Sequence, residues 1–264
     1  MITVPEFKIR KDSGQKITLM TCYDSSFAKL LADSQIDVLL VGDSSAMVMQ
    51  GRDSTIHASP DTIAFFVDSV ARGTAGEKFI VADMPFLSTR KSLHYGMECA
   101  ERFLKAGAHA IKIEGIRGNE KLVTHLVESG IPVMGHLGLT PQFVHAFGGM
   151  KLQAKTPEEQ DKLLNDAKRF QECGAFSLVL EVVPTSIATK ITSLLQIPTI
   201  GIGAGPGVDG QVLVLQDLLG FNPSFTPKFL RTYLNGNELF KQAFQRFHDD
   251  VVHGNYPNEK ESYS

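Results

Sequence analysis

Asp43, Ser44, Asp83, Lys112, Glu114, His136 and Glu181 share one kind of position: each stands at the C-terminal end of a short apolar run. The runs read VLLVGDS, KFIVADMP, AIKIEG, IPVMGHLG and SLVLEVV. One such acid is an ordinary turn residue or half of a salt bridge. Acids from four runs converging with a lysine and a histidine are different, because uncompensated buried charge is expensive. A divalent cation is the simplest compensation. The candidate ligands are oxygens and no Cys/His cluster has zinc spacing, so Mg2+ is the natural choice. Such an ion keeps positions open for substrate oxygens. On this reading Asp43 ends its strand at a metal, and Ser44 helps to hold what the metal binds.

Convergence needs a fold that gathers strand ends. Apolar runs at 17–24, 38–44, 78–85, 110–115, 131–138, 177–183 and 197–205 are expected to be strands. An eighth, 211–217, reads equally as strand or helix. Helical patterns alternate with them. Ser59-Pro60 caps and opens one, which Gly73 is expected to end; Thr156-Pro157-Glu158-Glu159 opens another, closed by Gly174. Nearly continuous apolar strands indicate a parallel sheet covered by helices on its outer face. Residues 1–264 are therefore expected to form one α/β domain, a (β/α)8 TIM barrel, with its active site at the C-terminal strand ends. Side chains alternate along a strand, so Lys112 and Glu114 enter the barrel mouth while Ile111 and Ile113 face the helices. The segment from about 227 to 252 is expected to be an amphipathic helix. Its Phe240, Phe244, Phe247 and Val251 suit core packing or a subunit contact.

Composition narrows the function classes. Apolar residues make up 43% of the chain, ample for a core. A net charge of −3, dispersed, gives no basic field for nucleic acid or anionic lipid. No apolar run is long enough to span a bilayer. The opening MITVPEF lacks the basic-then-apolar order of a secretory signal. Cys22, Cys99 and Cys173 form no C-x-x-C pair and suit reduced thiols, so a cytoplasmic location is expected. His57, His94, His109, His125 and His145 share no ligand spacing and read as surface or packing residues. Tyr23 and Asp24 either reach the pocket or serve packing. IGIGAG lacks a full phosphate-loop pattern and is expected to close the barrel tightly.

Taken in order, TCYDSSFAKL, VGDSSAMVMQG, ADMPF, IKIEG, PVMGHLGLTPQ, FGGMK, LVLEVVP, IGIGAG and DGQVL resemble the ketopantoate hydroxymethyltransferase family. The resemblance implies a barrel of the phosphoenolpyruvate mutase/isocitrate lyase-like superfamily that assembles into a symmetric homo-oligomer, commonly a decamer. It implies transfer of a hydroxymethyl group from 5,10-methylenetetrahydrofolate to 3-methyl-2-oxobutanoate, giving 2-dehydropantoate in the first step of pantothenate biosynthesis. By motif, Asp43 and Asp83 would be Mg2+ ligands, with Glu114 completing the metal site. Asp43, Ser44, Asp83, Lys112 and His136 would line the keto-acid site, and Glu181 would be the proton-transfer residue.

Several positions depart from the family pattern. Ile56-His57-Ala58-Ser59 stands for Leu-Pro-Val-Thr, Met150 for an aromatic, Ala154-Lys155 for Gly-Arg, and Gln216 for a histidine. One extra residue lies between Gly73 and Lys78. The changes after FGG bear on folate affinity and loop closure. Two rival functions share the strand-end acids: a metal-dependent carbon–carbon lyase or mutase on another 2-oxo acid, and a non-catalytic keto-acid-binding barrel. The lyases carry a catalytic cysteine on a mobile loop, whereas the cysteines here fall in expected strands or helices.

Overall fold

Each apolar run contains a strand: β1 (Ile17–Thr21), β2 (Val38–Val41), β3 (Phe79–Asp83), β4 (Ala110–Glu114), β5 (Val133–Gly138), β6 (Ser177–Glu181), β7 (Thr199–Ile202) and β8 (Gly210–Leu213). All pair in parallel with the next in sequence, and β1 pairs with β8, which closes the barrel in this computed structural model of residues 1–263. The helices of this part are α1 (Val4–Ser13), α2 (Ser25–Ala32), α3 (Ser45–Val48), α4 (Pro60–Thr74), α5 (Leu93–Lys105), α6 (Glu120–Glu128), α7 (Val144–Phe147), α8 (Pro157–Glu172) and α9 (Thr185–Leu194).

The expected caps operate. Ser59 accepts from the Thr62 N–H, and Thr156 with Glu159 forms a capping box that satisfies donors at the start of α8. Gly73 does not end α4. It lies inside the helix, where a Cβ would come within 2.6 Å of the Ala28 Cβ, so the missing side chain lets α2 and α4 touch. The turn falls instead at Ala75 and Gly76, both left-handed (φ 49° and 85°).

One strand–helix unit is absent. Residues 203–209 join β7 directly to β8 with no helix among them. IGIGAG serves this short link: a Cβ at Gly201 would sit 2.9 Å from Val208, so bulk there would hold the link away from the strand. The eighth run then divides into β8 and a short helix.

Inside the barrel, Ile17, Leu19, Val38, Leu40, Val81, Met134, Val179, Ile200 and Val212 form one apolar core. Helix α1 closes its floor. Phe7 is fully buried and meets Phe79 and Phe176 edge-on, with ring centroids 5.7 and 4.9 Å away. Lys11 fastens this plug through hydrogen bonds of 2.8 Å to Asp209 Oδ2 and to the Thr192 carbonyl. Polar bonding at this end serves stability, because strand N-termini lie here.

The chain divides into two compact units, Met1–Leu213 and the residues from Val214 onward. The second contains α10 (Leu215–Leu218) and α11 (Gly236–Val252). The helix expected from 227 begins only at Gly236; the preceding stretch is irregular. Phe240 packs edge-on against Phe221 at 5.1 Å, whereas Phe244 and Phe247 remain 68% and 60% exposed. No described helix is long and apolar enough to cross a membrane.

Candidate active site

Parity carries the strand core up into the site. Val81 belongs to the inner core, and two residues on stands Asp83. The same step leads from Ala110 to Lys112 and Glu114, from Met134 to His136, and from Val179 to Glu181. In a parallel barrel these upper positions share one mouth. Asp43 and Ser44 arrive differently, from the turn that follows β2.

All seven expected residues come together. The Asp43 backbone N–H donates to Asp83 Oδ2 at 3.1 Å. Lys112 Nζ lies 3.1 Å from Asp83 Oδ1 and 3.2 Å from His136 Nδ1. His136 Nδ1 is 3.4 Å from Glu114 Oε1, and its Nε2 is 3.2 Å from Glu181 Oε2. Ser44 Oγ bonds the Tyr23 hydroxyl at 2.8 Å. Asp43, Asp83, Lys112, Glu114 and His136 are buried, whereas the Glu181 side chain keeps 18% exposure at the rim.

Asp24, the surface histidines and the cysteines lie outside this cluster. Asp24 caps α2 through the N–H groups of Ser26 and Phe27. His109 accepts from the Ile80 N–H and stacks on Phe79. His57 and His94 pair with Asp53 and Glu98 at the surface. Cys22 is buried just past β1, and burial pushes its thiol up to about 12; Cys99 is buried in α5, and Cys173 ends α8. None of the three offers a reactive thiolate on a mobile loop.

Sequence reasoning misses Gln142, the last residue of GHLGLTPQ. Its Nε2 donates to Asp43 Oδ2 at 2.7 Å and to the Met84 carbonyl at 2.9 Å. Its backbone N–H donates to Glu114 Oε2 at 3.1 Å. A polar residue directly after Pro141, at the first turn of a helical segment following a strand, is the only signal.

The charge balance is lopsided, with three buried carboxylates around one ammonium. Burial, then the neighbouring Glu114 and Asp83, hold the Asp43 carboxyl well above the usual range. Burial likewise lifts Glu114 to about 7, Asp83 adding to the effect and Lys112 opposing it. Burial alone would lower Lys112, but Asp83, Glu114 and Asp43 outweigh it and keep the ammonium charged. Burial and the Lys112 charge hold His136 below its ordinary value, hence neutral. A neutral ring facing the ammonium at Nδ1 accepts there and carries its proton at Nε2, toward Glu181.

These residues fit a divalent oxygen-loving cation. Asp83 Oδ1 and Glu114 Oε1 are buried without a hydrogen bond, although Lys112 stands at ion-pair distance from the former. Among the described residues no three His, Cys, Asp or Glu side chains stand so as to hold a metal ion by themselves. A Mg2+ here would take one or two of these carboxylates and complete its shell with water and substrate oxygens.

Backbone strain marks the rim. Val182, directly after Glu181, is β-branched yet left-handed at φ 46°. Its N–H donates to the Ile202 carbonyl at 2.8 Å, and its carbonyl accepts from the Gln153 N–H at 3.0 Å. The Glu181 carbonyl accepts from the Leu139 N–H at 2.8 Å, so neighbouring segments clamp this peptide on both sides. Nearby Ala154 is also left-handed, at φ 54°. The alanine costs about 1–2 kcal/mol there.

Comparison with known proteins agrees with this geometry. A family model described as Ketopantoate hydroxymethyltransferase matches residues 1–259. A Bdellovibrio bacteriovorus protein named 3-methyl-2-oxobutanoate hydroxymethyltransferase is 54% identical over 264 residues, covering 100% of both chains. A Coxiella burnetii protein of the same name is 49% identical over 258 residues, covering 97% of each. Among solved structures, phosphonopyruvate hydrolase in complex with oxalate and Mg++ superposes with a TM-score of 0.65 at 13% identity, covering 99% of this chain and 93% of that one. A 2,3-dimethylmalate lyase, described as a phosphoenolpyruvate mutase/isocitrate lyase superfamily member, gives 0.64 at 12% identity, covering 100% and 93%. The likeness is one of fold, a closed parallel barrel of eight strands.

Proposed function

The chain belongs to the ketopantoate hydroxymethyltransferase family, and from that premise we propose that it moves a hydroxymethyl group from 5,10-methylenetetrahydrofolate to 3-methyl-2-oxobutanoate. The product is 2-dehydropantoate, which enters pantothenate biosynthesis. The observation that carries this reading is the buried trio of carboxylates facing one ammonium, with a fourth carboxylate at the open rim.

Asp43, Asp83 and Glu114 are assigned to hold Mg2+, which when bound polarises the keto carbonyl as a Lewis acid. The complex of phosphonopyruvate hydrolase with oxalate and Mg++ supports the assignment, since oxalate carries the paired oxygens of an oxo acid. Ser44 Oγ and Lys112 bind the keto acid. The Tyr23 hydroxyl, which burial keeps protonated, shares a 2.8 Å hydrogen bond with Ser44 Oγ and so orients that hydroxyl. Glu181 takes the proton from C3 of the substrate, oriented by the N–H at His136 Nε2. Lys112 faces the negative charge that grows on the keto oxygen as that proton leaves. C3 then bonds to the one-carbon unit, whose two C–N bonds to the folate break as those nitrogens take up the proton from C3 and one from water. Water also supplies the hydroxyl oxygen, so tetrahydrofolate leaves.

Proton exchange tests the first half. NMR of 3-methyl-2-oxobutanoate in D2O with protein and Mg2+ is expected to show loss of the C3 proton signal. Methylenetetrahydrofolate added afterwards is expected to yield product. A protein that binds the keto acid yet leaves C3 unexchanged would refute the mechanism.

The exposed face of α11 (Phe240, Phe244, Phe247 and Val251) is read as a contact with another copy of the chain in the cytoplasm. Light scattering is expected to give a mass of several chains that Phe244→Asp reduces. A wild-type mass of 28.9 kDa, one chain, would end that assignment.

A further inference from the structure

Gln142 grips the acid cluster at three points from one short turn (Pro141–Phe143). Its carboxamide occupies Asp43 Oδ2, its backbone N–H occupies Glu114 Oε2, and its second amide contact fixes the Met84 carbonyl, next in chain to Asp83. The third acid is treated alike by a different donor, because the Asp43 N–H occupies Asp83 Oδ2. One oxygen of each of these three carboxylates thus accepts from a nitrogen donor, while Asp83 Oδ1 also lies 3.1 Å from Lys112 Nζ and Glu114 Oε1 lies 3.4 Å from His136 Nδ1.

We propose that Gln142 is a positioning residue that holds Asp43 to a single metal-facing oxygen and so sets the site's preference for Mg2+ over Ca2+. The proposal rests on the assignment of Asp43, Asp83 and Glu114 as the metal site. Mg2+ demands a near-octahedral shell and is content with one oxygen from each of a few carboxylates plus water. Ca2+ takes more oxygens in looser arrangements and gains when a carboxylate chelates it with both. A carboxylate with one oxygen tied to an N–H suits the first ion and penalises the second. Partners that orient ligands in this way are typically worth about 10–100-fold in metal affinity.

Glu114 and Asp83 owe their restraint to backbone N–H groups, which side-chain substitution leaves in place. Asp43 owes its restraint to the Gln142 carboxamide and is the acid a point change can release. In Gln142→Leu the side chain keeps its approximate volume and loses both amide contacts; Asp43 Oδ2 is freed. Gln142→Met, unbranched and of matching length, serves if the leucine does not fold.

Calorimetric titration of the metal-free protein with Mg2+ and with Ca2+, without substrates, tests this. The expected result is a 10–100-fold loss of Mg2+ affinity with a Ca2+ affinity that falls less than about threefold or rises. The ratio of the two constants then drops at least about threefold. Equal losses for both ions, the mark of a merely structural role, would overturn the proposal, as would unchanged constants. Asp43→Asn, run in parallel, separates the two failures. A wild-type protein that takes up no Mg2+, or an Asp43→Asn variant that takes it up undiminished, overturns the metal assignment itself. Loss in Asp43→Asn with no selectivity change at Gln142 overturns only the role of Gln142.

Discussion

Glu181→Gln is expected to lower turnover by roughly 10²–10⁴-fold while 3-methyl-2-oxobutanoate binds within about threefold of wild type. The amide keeps the shape and can still accept from His136 Nε2, 3.2 Å from the native carboxylate, so the ring and its Lys112 contact stay in place. What the amide cannot do is receive a proton from carbon. The effect therefore belongs in kcat and in the exchange rate at C3, with substrate affinity spared. Steady-state kinetics together with the deuterium experiment separates the two. A variant that exchanges the C3 proton within tenfold of the wild-type rate would show that another group is the base.

Metal and pH should act on stability together. Asp43 and Glu114 both hold protons in the fold more tightly than in the unfolded chain. For Glu114 the interval runs from its ordinary 4.5 to about 7. Across that interval the unfolded chain binds fewer protons than the fold, so these groups subtract stability as pH rises. His136 acts in the opposite sense, since an imidazole held below its ordinary value weakens the fold as pH falls. Comparison with metal-free Asp43→Asn removes that background. The variant is expected to unfold at a higher temperature than wild type at pH 8, and its advantage should shrink toward pH 5. Mg2+ needs the ionised carboxylates, so its stabilisation of the wild type should grow over the same interval. At a hundred times the dissociation constant it amounts to about 2.7 kcal/mol, or roughly 5–10 °C in Tm for a chain of this size. Scanning calorimetry from pH 5 to 8, with chelator or with Mg2+, provides the measurement. A Mg2+ shift that is flat across this range would contradict the role given to the buried acids.

Much of this is legible in the chain because a strand has period two. Once VADMP, IKIEG, GHLG and LVLEV are strand ends, alternation alone sends Asp83, Lys112, Glu114, His136 and Glu181 the same way. Turn chemistry is less readable. Gly73 looks like a helix stop, yet its role is to let α2 approach α4, a tertiary demand that no local pattern carries. The start of α11 is hard to place because Phe and Leu continue at workable spacings through 227–235, where the backbone does not stay helical. Gln142 is invisible for a further reason. A glutamine after a proline looks like any surface residue until the β5 loop folds over Asp43, 99 positions away in the chain.

The aromatic floor laid by α1 has a kinetic corollary. A barrel stoppered at one end is a well with a single opening, so the reactant that settles deepest must go in first and come out last. On the proposed assignment, a keto acid held at Lys112, which is buried, would lie beneath anything that reaches Glu181 at the rim. A dead-end folate analogue should accordingly inhibit uncompetitively against the keto acid, the folate arriving on a protein that already holds its acceptor.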